Sequence, residues 1–249
     1  MNELKCVFWD LDGTIADTEI YGHRCAFNKT FKDFGLNWNW DVDTYIELLK
    51  YAGGKNRIIE YSKTINQTIN IKKASLVHKI KTSNYCSMLK EGSINLRPGV
   101  LRLIKELKLH NIKQWIVTTS SKLAARDLIN SKIGLFKYYF DGIISAEDVH
   151  LLKPNPEAYL LAMQKANIKP QNVLAIEDSI NGLKSALQAD INCVITLTEW
   201  NRESLSSFKE ARLVVNHLGD PIHKTMFYHG NKVNNFVDID TLKSILNNI

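Results

Sequence analysis

The chain has 249 residues, of which 45% are hydrophobic and 23% charged, a composition typical of globular proteins. No run reaches the roughly 18 consecutive apolar residues that cross a bilayer, so neither a membrane-spanning protein nor a membrane partner is expected. The N-terminus lacks the basic and then apolar pattern of a signal peptide. We therefore expect a cytoplasmic protein, or a protein of the plastid stroma if a transit peptide has been removed.

The net charge is +6, from 32 basic and 26 acidic side chains. Lysines on solvated helix faces account for this excess, and attraction of an anionic substrate is the alternative. No basic block is interleaved with aromatic residues, so we expect no nucleic-acid partner. The expected state is a monomer. The cysteines match no metal-binding spacing and are interpreted as small buried residues; they are Cys6, Cys25, Cys86 and Cys193.

Short apolar runs that do not alternate with polar residues indicate strands buried on both faces, as in a parallel sheet. Helical patterns separate them, which predicts an α/β fold, a doubly wound Rossmann-like core. The predicted strands are 5–9, 114–117, 142–145, 173–176 and 192–195, and the predicted helices are 99–109, 156–167 and 179–189. Beyond about residue 200 only a helix over 239–249 is predicted.

Residues 17–95 interrupt this alternation of strands and helices, because they carry helical patterns and no convincing buried strand. One pattern places Phe27, Phe31 and Phe34 on one face and stops at Gly35, a plausible helix end. We therefore predict a core domain formed by 1–16 and 96–249, with an inserted helical cap domain over 17–95. The insertion follows the first strand, so the cap would stand over the carboxyl ends of the strands, where open α/β sheets bind ligands.

Acidic pairs follow two of the predicted strands. Asp10 and Asp12 come directly after the first strand, and Glu177 and Asp178 end the strand over 173–176. Carboxylates so close to each other repel unless a cation or proton compensates, and Mg²⁺ prefers oxygen ligands. The alternatives are a capped turn at Gly13 for the first pair and a helix N-cap for Asp178.

Two other strand ends carry groups suited to anions. Thr118, Thr119 and Ser120 follow the second strand, where hydroxyls and free backbone N–H groups at a helix start can bind phosphate. Lys153 follows the strand over 142–145 and could neutralise an oxyanion. Helix capping by the hydroxyls and a surface position for Lys153 are the alternatives.

In their order along the chain, these residues resemble the four signatures of the haloacid-dehalogenase superfamily of phosphatases. The resemblance covers nearly the whole chain. It implies that Asp10 is the nucleophile that forms an aspartyl-phosphate, and that Asp12 is the general acid and then the general base. It implies that Thr118, Thr119 and Lys153 hold the transferring phosphoryl oxygens, and that Ser120 is one of the substrate-binding residues. Magnesium would be held by the Asp10 side chain, the Asp12 backbone carbonyl and Asp178, with Glu177 bound directly or through water.

The cap sequence resembles the CbbY-type sugar-phosphate phosphatases, which are linked to carbon fixation. The resemblance is carried by Asp17-Thr18-Glu19, His23-Arg24, Trp38-x-Trp40-Asp41, Gly53-Gly54-Lys55-x-Arg57, Leu96-Arg97-Pro98-Gly99 and Glu177-Asp178-Ser179. It implies removal of the 1-phosphate of xylulose 1,5-bisphosphate. Lys55 and Arg57 would then bind the second phosphate and Glu19 the sugar hydroxyls, while Gly54 would allow close backbone approach. Solvated helix charges and helix capping are the alternatives.

The segment before His23 is one residue longer than the spacing usual in this family. One residue turns an α-helix by roughly 100°, so a site role for His23 becomes doubtful and a structural role becomes as plausible. The rival functions are a mutase similar to β-phosphoglucomutase and a broad phosphatase for phosphoglycolate or sugar phosphates. A non-catalytic binding protein is disfavoured, because Asp10, Asp12, Lys153 and Asp178 are all present.

Overall fold

The computed structural model describes residues 2–90, 94–200, 205–230 and 234–247, the side chain of Lys90 excepted. Within these residues, seven strands form one sheet in the order β3-β2-β1-β4-β5-β6-β7, with every neighbouring pair parallel except β6 and β7. They are β1 (Cys6–Trp9), β2 (Lys113–Val117), β3 (Gly142–Ile144), β4 (Val173–Glu177), β5 (Asn192–Thr196), β6 (Leu213–Val215) and β7 (Phe227–His229). The predicted α/β class and all five predicted strands are confirmed.

The central strands β1 and β4 are buried at every residue, as their unbroken apolar runs indicate. The sequence pattern missed β6 and β7, which have three residues each. β7 lies at the antiparallel edge and is partly exposed, so it shows none of the continuous apolar character that marks the central strands.

Residues 17–90 contain no strand, and the predicted helical character of this segment is confirmed. A single turn of π-helix over Glu19–His23 leads into four α-helices, which are α1 (Arg24–Asp33), α2 (Val42–Leu48), α3 (Gly54–Thr64) and α4 (Ile71–Lys90). An aromatic cluster that includes Phe27, Phe31 and Trp40 forms their own core. The buried face of α4 runs through Val77 and Tyr85, whereas half of the surface of Leu76 is exposed.

The remaining helices cover both faces of the sheet, which makes the core doubly wound. They are α5 (Val100–Leu109), α6 (Lys122–Lys132), α7 (Phe136–Tyr139), α8 (Glu157–Ala166), α9 (Ile180–Gln188) and α10 (Ile239–Asn247). The predicted helices over 99–109, 156–167 and 179–189 correspond to α5, α8 and α9. The predicted C-terminal helix corresponds to α10, and its last two predicted residues, 248 and 249, lie outside the described residues.

The chain leaves and re-enters the core at neighbouring points. Ala16 pairs with Leu96, the N–H of Asp17 donates to Asn95 O at 3.2 Å, and that of Arg97 donates to Ile15 O at 3.0 Å. This arrangement agrees with an insertion, although the exact division into 1–16, 17–95 and 96–249 stays a prediction. Among the described residues, no helix is both long and apolar enough to cross a membrane.

Candidate active site

The carboxyl ends of β1, β2 and β4 bring the predicted site residues together. β1 lies between β2 and β4, and the N–H of Asp10 donates to Ile176 O at 2.9 Å, which holds the two strand ends in register. Lys153 reaches this point from the segment before α8. Its Nζ donates to Asp10 Oδ1 and to Val117 O, both at 2.7 Å, and to Glu177 Oε1 at 2.5 Å. Only 4% of the Lys153 surface is exposed, so the interpretation as a surface charge is wrong.

Asp10, Glu177 and Asp178 form an acidic cluster in which one oxygen from each carboxylate lies within 4.8 Å of the others. Burial, followed by the neighbouring carboxylate of Glu177, raises the pKa of Asp10 and of Asp178 well above the usual range. Glu177 Oε2 is fully buried and has no hydrogen-bond partner among the described residues. Three hard oxygen donors with one unsatisfied atom fit a divalent cation such as Mg²⁺.

Two glycines allow this close packing. A Cβ atom on Gly13, whose φ is +88°, would lie 2.1 Å from Asp178 Oδ2, and a Cβ on Gly182 would lie 1.9 Å from Glu177 Oε2. The N-cap of α9 is Ser179, whose side chain accepts from the N–H of Gly182 at 3.1 Å. Asp178 is therefore not the cap of this helix, and its carboxylate belongs to the acidic cluster.

The Asp12 side chain points away from this cluster. Its Oδ1 accepts from Thr18 Oγ1 at 2.5 Å and lies 2.9 Å from His23 Nε2, and its Oδ2 accepts from Ser120 Oγ at 2.5 Å. The carboxylate therefore does not serve as a cap for the turn at Gly13. Burial raises the pKa of Asp12, but His23 and these hydrogen bonds outweigh it and bring the pKa below its usual range. A metal role for Asp12 is confined to its backbone carbonyl and stays a prediction.

His23 reaches Asp12 because the extra residue before it is absorbed locally. The turn over Glu19–His23 is π-helical, and the N–H of Arg24 donates to Glu19 O, five residues earlier. A π turn holds one residue more than an α turn, so the residues on either side keep their directions. His23 therefore lies at the site despite the longer spacing before it.

A buried lysine determines which ring nitrogen of His23 carries the proton. Lys81 Nζ lies 2.7 Å from His23 Nδ1, and an ammonium can only donate. The His23 Nδ1 atom is therefore an acceptor and Nε2 carries the proton that is donated to Asp12. Burial lowers the pKa of Lys81 to about 8, and the carboxylates of Glu19 and Asp12 oppose this effect.

The hydroxyls after β2 have different surroundings. Thr118 is buried, and its Oγ1 accepts from the N–H of Ser120 at 3.0 Å. Thr119 lines the small cavity, of about 110 Å³, that contains Asp10 and Lys153. Ser120 donates its hydroxyl to Asp12 and also lines a second, larger cavity, and its predicted contact with substrate stays a prediction. The N-cap of α6 is Ser121, whose Oγ accepts from the N–H of Ala124 at 3.2 Å.

A larger cavity of about 490 Å³ lies between the cap helices and the strand ends, and Asp12 borders both cavities. Gly54 and Lys55 line it from the start of α3, and their predicted contacts with substrate stay predictions. Arg57 also borders it, but its side chain is only 13% exposed and donates to Tyr45 Oη at 3.0 Å and to Glu19 Oε2 at 3.4 Å. Arg57 and Glu19 therefore neutralise each other, and neither is a solvated helix charge.

Sequence reasoning missed five cavity residues on α4, which are Ser75, His78, Lys81, Thr82 and Tyr85. The Tyr85 ring packs against the His23 ring with centroids 4.0 Å apart. Burial, with nearby Lys81 and His23, lowers the pKa of His78 to about 4. A signal was present for Lys81, because it stands four residues after Val77 and four before Tyr85, on an otherwise apolar helix face.

Comparisons with known proteins agree with this geometry. Residues 4–190 match the family model described as haloacid dehalogenase-like hydrolase. The plasmid protein CbbY of Cupriavidus necator is 37% identical over 224 residues, which cover 88% of this chain and 87% of that protein. A crystal structure of CbbY from Rhodobacter sphaeroides, an aspartate-to-asparagine mutant in complex with xylulose 1,5-bisphosphate, has a TM-score of 0.78 and 33% identity. The match covers 86% of this chain and 94% of the CbbY chain.

The fold extends to β-phosphoglucomutase from Clostridium difficile, with a TM-score of 0.75, 22% identity and 98% coverage of both chains. At that identity the likeness concerns the fold alone. The family match spans most of the chain and includes every strand end that carries a site residue. The chain therefore belongs to the haloacid dehalogenase-like hydrolases, and within them it is a phosphoric monoester hydrolase.

Proposed function

We propose that this protein is a Mg²⁺-dependent phosphatase that removes the 1-phosphate of a sugar bisphosphate, xylulose 1,5-bisphosphate, through an aspartyl-phosphate on Asp10. The proposal rests on two neighbouring carboxylates, Asp10 and Asp12, that have opposite surroundings. Asp10 lies in an acidic cluster bridged by Lys153, and Asp12 stands at the edge of that cluster with its carboxylate held by hydrogen-bond donors.

Asp10, Glu177, Asp178 and the Asp12 backbone carbonyl would hold the ion. When bound, Mg²⁺ offsets the negative charge shared by the carboxylates and the phosphoryl oxygens, so that an anionic nucleophile can approach an anionic ester. Lys153 supports the same approach, because its ammonium holds Asp10 Oδ1 at 2.7 Å and favours the ionised, nucleophilic carboxylate.

In the first step, an Asp10 oxygen forms a bond to phosphorus while the bond to the sugar oxygen breaks. Asp12 gives its proton to that leaving oxygen, and in the second step it takes a proton from the water that hydrolyses the aspartyl-phosphate. Donors hold Asp12 ionised in the free enzyme. The charge of an arriving phosphate raises the pKa of Asp12 and favours the protonated form that the first step requires. Thr118, Thr119 and Lys153 would bind the phosphoryl oxygens during both steps.

A bisphosphate is favoured by the charge and size of the larger cavity. Its volume of about 490 Å³ is ample for a five-carbon sugar with a second phosphate. Lys55, Lys81 and Arg57 border this cavity. Lys55 is the basic side chain best placed for the second phosphate, because Arg57 is engaged by Glu19 and Lys81 is engaged by His23. The complex of the CbbY relative with xylulose 1,5-bisphosphate supports this choice.

A sugar-phosphate mutase is the second candidate, and the contact between His23 and Asp12 favours it. A mutase must deliver the phosphoryl group to a second sugar hydroxyl rather than to water, which requires tight control of the acid–base group. The hydrogen bonds of Asp12 to His23, Thr18 and Ser120 provide such control. Conversion of β-glucose 1-phosphate to glucose 6-phosphate with a bisphosphate primer would identify this activity.

The decisive experiment measures steady-state turnover with Mg²⁺ on xylulose 1,5-bisphosphate, glucose 1-phosphate and phosphoglycolate. We expect kcat/KM for the bisphosphate to exceed the other values by at least tenfold. Flat values would indicate a broad phosphatase. Asp10→Asn should abolish turnover and raise the melting temperature measured in EDTA, because it removes one of three mutually repelling carboxylates. Turnover that persists in this variant would rule out Asp10 as the nucleophile.

Lys55→Met tests the second phosphate separately. We expect KM to rise about tenfold or more for the bisphosphate and to change less than twofold for glucose 1-phosphate, since only the bisphosphate reaches Lys55. Lys50→Met, which removes an exposed lysine at the end of α2, is the matched control. Equal effects on both substrates would remove Lys55 from the distal phosphate site.

A further inference from the structure

Tyr159 is a buried tyrosine on α8, outside every segment that carries a predicted site residue. Its hydroxyl donates to Glu177 Oε1 at 2.5 Å, and neither the tyrosine nor its hydroxyl lines the two cavities of the site. Its ring lies 5.2 Å from Lys153 Nζ and packs on Phe8 with centroids 6.1 Å apart. One side chain therefore supports both the carboxylate and the ammonium that hold the catalytic centre together.

The hydrogen bonds of Glu177 are unevenly divided between its two oxygens. Oε1 accepts from both Lys153 and Tyr159, whereas Oε2 has no partner among the described residues. Gly182 provides the space that Oε2 occupies, since a Cβ atom there would overlap it. Removing the tyrosine hydroxyl would leave Lys153 as the only described residue that donates to Oε1, and the carboxylate could then turn to present either oxygen to the ammonium.

We propose that Tyr159 is a positioning residue of the cation site, which orients Glu177 so that Oε1 binds Lys153 and Oε2 stays free for the divalent ion. The inference rests on the proposed Mg²⁺-dependent function. Groups that hydrogen-bond to metal-ligating side chains commonly change metal affinity or activity by 10- to 100-fold when they are removed. Tyr159 lines neither cavity of the site, so its hydroxyl acts on the ion through Glu177.

The test uses Tyr159→Phe in the full-length protein, because phenylalanine keeps the ring on Phe8 and Lys153 and removes only the hydroxyl. Mg²⁺ binding is measured by titration calorimetry after dialysis against EDTA, alongside kcat, KM and the melting temperature in EDTA. We expect Mg²⁺ affinity to fall about tenfold and kcat to fall at saturating substrate, with KM for the substrate within twofold of wild type. Tyr139→Phe, a half-buried tyrosine in α7, is the matched control and should match wild type in every measurement.

A double-mutant cycle separates positioning from general stabilisation. If Tyr159 acts through Glu177, then Tyr159→Phe should cause no further loss of Mg²⁺ affinity in a Glu177→Gln background. Equal losses in both backgrounds would show a general structural effect and overturn the inference. So would a Tyr159→Phe variant with Mg²⁺ affinity and kcat within twofold of wild type. A wild-type protein that binds no Mg²⁺ would instead overturn the proposed function itself, whatever the variant does.

Discussion

His23 Nε2 lies 2.9 Å from Asp12 Oδ1, although the spacing before His23 predicted a displaced side chain. The contact has a defined direction, because Lys81 Nζ, 2.7 Å from Nδ1, leaves Nε2 as the donor. Both side chains of the pair are nearly buried. A histidine of this kind controls the charge and orientation of the group that the proposed mechanism uses as acid and base.

Replacing His23 should therefore affect the chemical step more than substrate binding. We expect His23→Ala to lower kcat by about 10- to 100-fold, since a charge-assisted hydrogen bond contributes about 1.5–3 kcal/mol. His23→Gln should recover part of this loss, because its amide N–H can still donate to Asp12. Steady-state kinetics at saturating substrate measures both variants, and a kcat for His23→Ala equal to wild type would contradict the role of the contact.

Because a π turn holds one residue more than an α turn, we predict that the protein tolerates the deletion of one residue from it. Removing Tyr21, which is 62% exposed, should convert the π turn into an α turn and leave Glu19 and His23 facing the site. We expect activity within threefold of wild type and an unchanged melting temperature. Removing Lys29, an exposed residue inside α1, is the control, and it should turn the following residues by roughly 100° and greatly reduce stability. Similar damage from both deletions would refute this account of the turn.

Ser120 should act on catalysis rather than on substrate affinity. Its hydroxyl donates to Asp12 Oδ2 at 2.5 Å, so Ser120→Ala removes one of the donors that hold this carboxylate. We expect kcat to fall about tenfold with KM within twofold of wild type. Thr119→Ala is the comparison, because Thr119 lines the small cavity at Asp10 and should raise KM. A rise in KM alone for Ser120→Ala would support the phosphate contact that the sequence predicted.

His78 should make the protein less stable in acid. Its pKa is about 4 in the folded protein, lowered from 6.5 by burial and by neighbouring cations. Between pH 6.5 and pH 4 the unfolded chain therefore binds more protons at this position, and stability falls as the pH falls. We expect His78→Gln to lack this loss of stability in acid. The free energy of unfolding of the variant, minus that of wild type, should therefore increase by on the order of 2–3 kcal/mol between pH 7 and pH 4.

Urea unfolding at several pH values measures this difference, and the carboxylates that titrate in both proteins cancel in the comparison. His110→Gln, at an exposed position that ends α5, is the matched control and should follow wild type across the same range. A constant difference between wild type and His78→Gln from pH 7 to pH 4 would show that His78 does not contribute to the acid sensitivity.

Local patterns in the sequence were enough to predict the central strands and the groups that end them. Continuous apolar runs marked β1, β2, β4 and β5. Because the carboxyl ends of parallel strands share one edge of a sheet, this pattern alone predicts that Asp10, Thr118 and Glu177 lie together. β7 was missed because it is a partly exposed edge strand without a continuous apolar run, and β6, a buried run of three residues, was missed as well.

The tertiary structure alone decided which groups are partners. Ser120 and Asp12 are 108 positions apart, and Tyr159 meets Glu177 across the packing of α8 on the sheet. No local pattern encodes such contacts, because they depend on how helices and strands pack. The same holds for His23, where counting residues on an ideal α-helix predicted a displacement that one π turn removes. The sequence by itself determined which chemistry the strand ends can support, and only packing decided which side chains hold that chemistry in place.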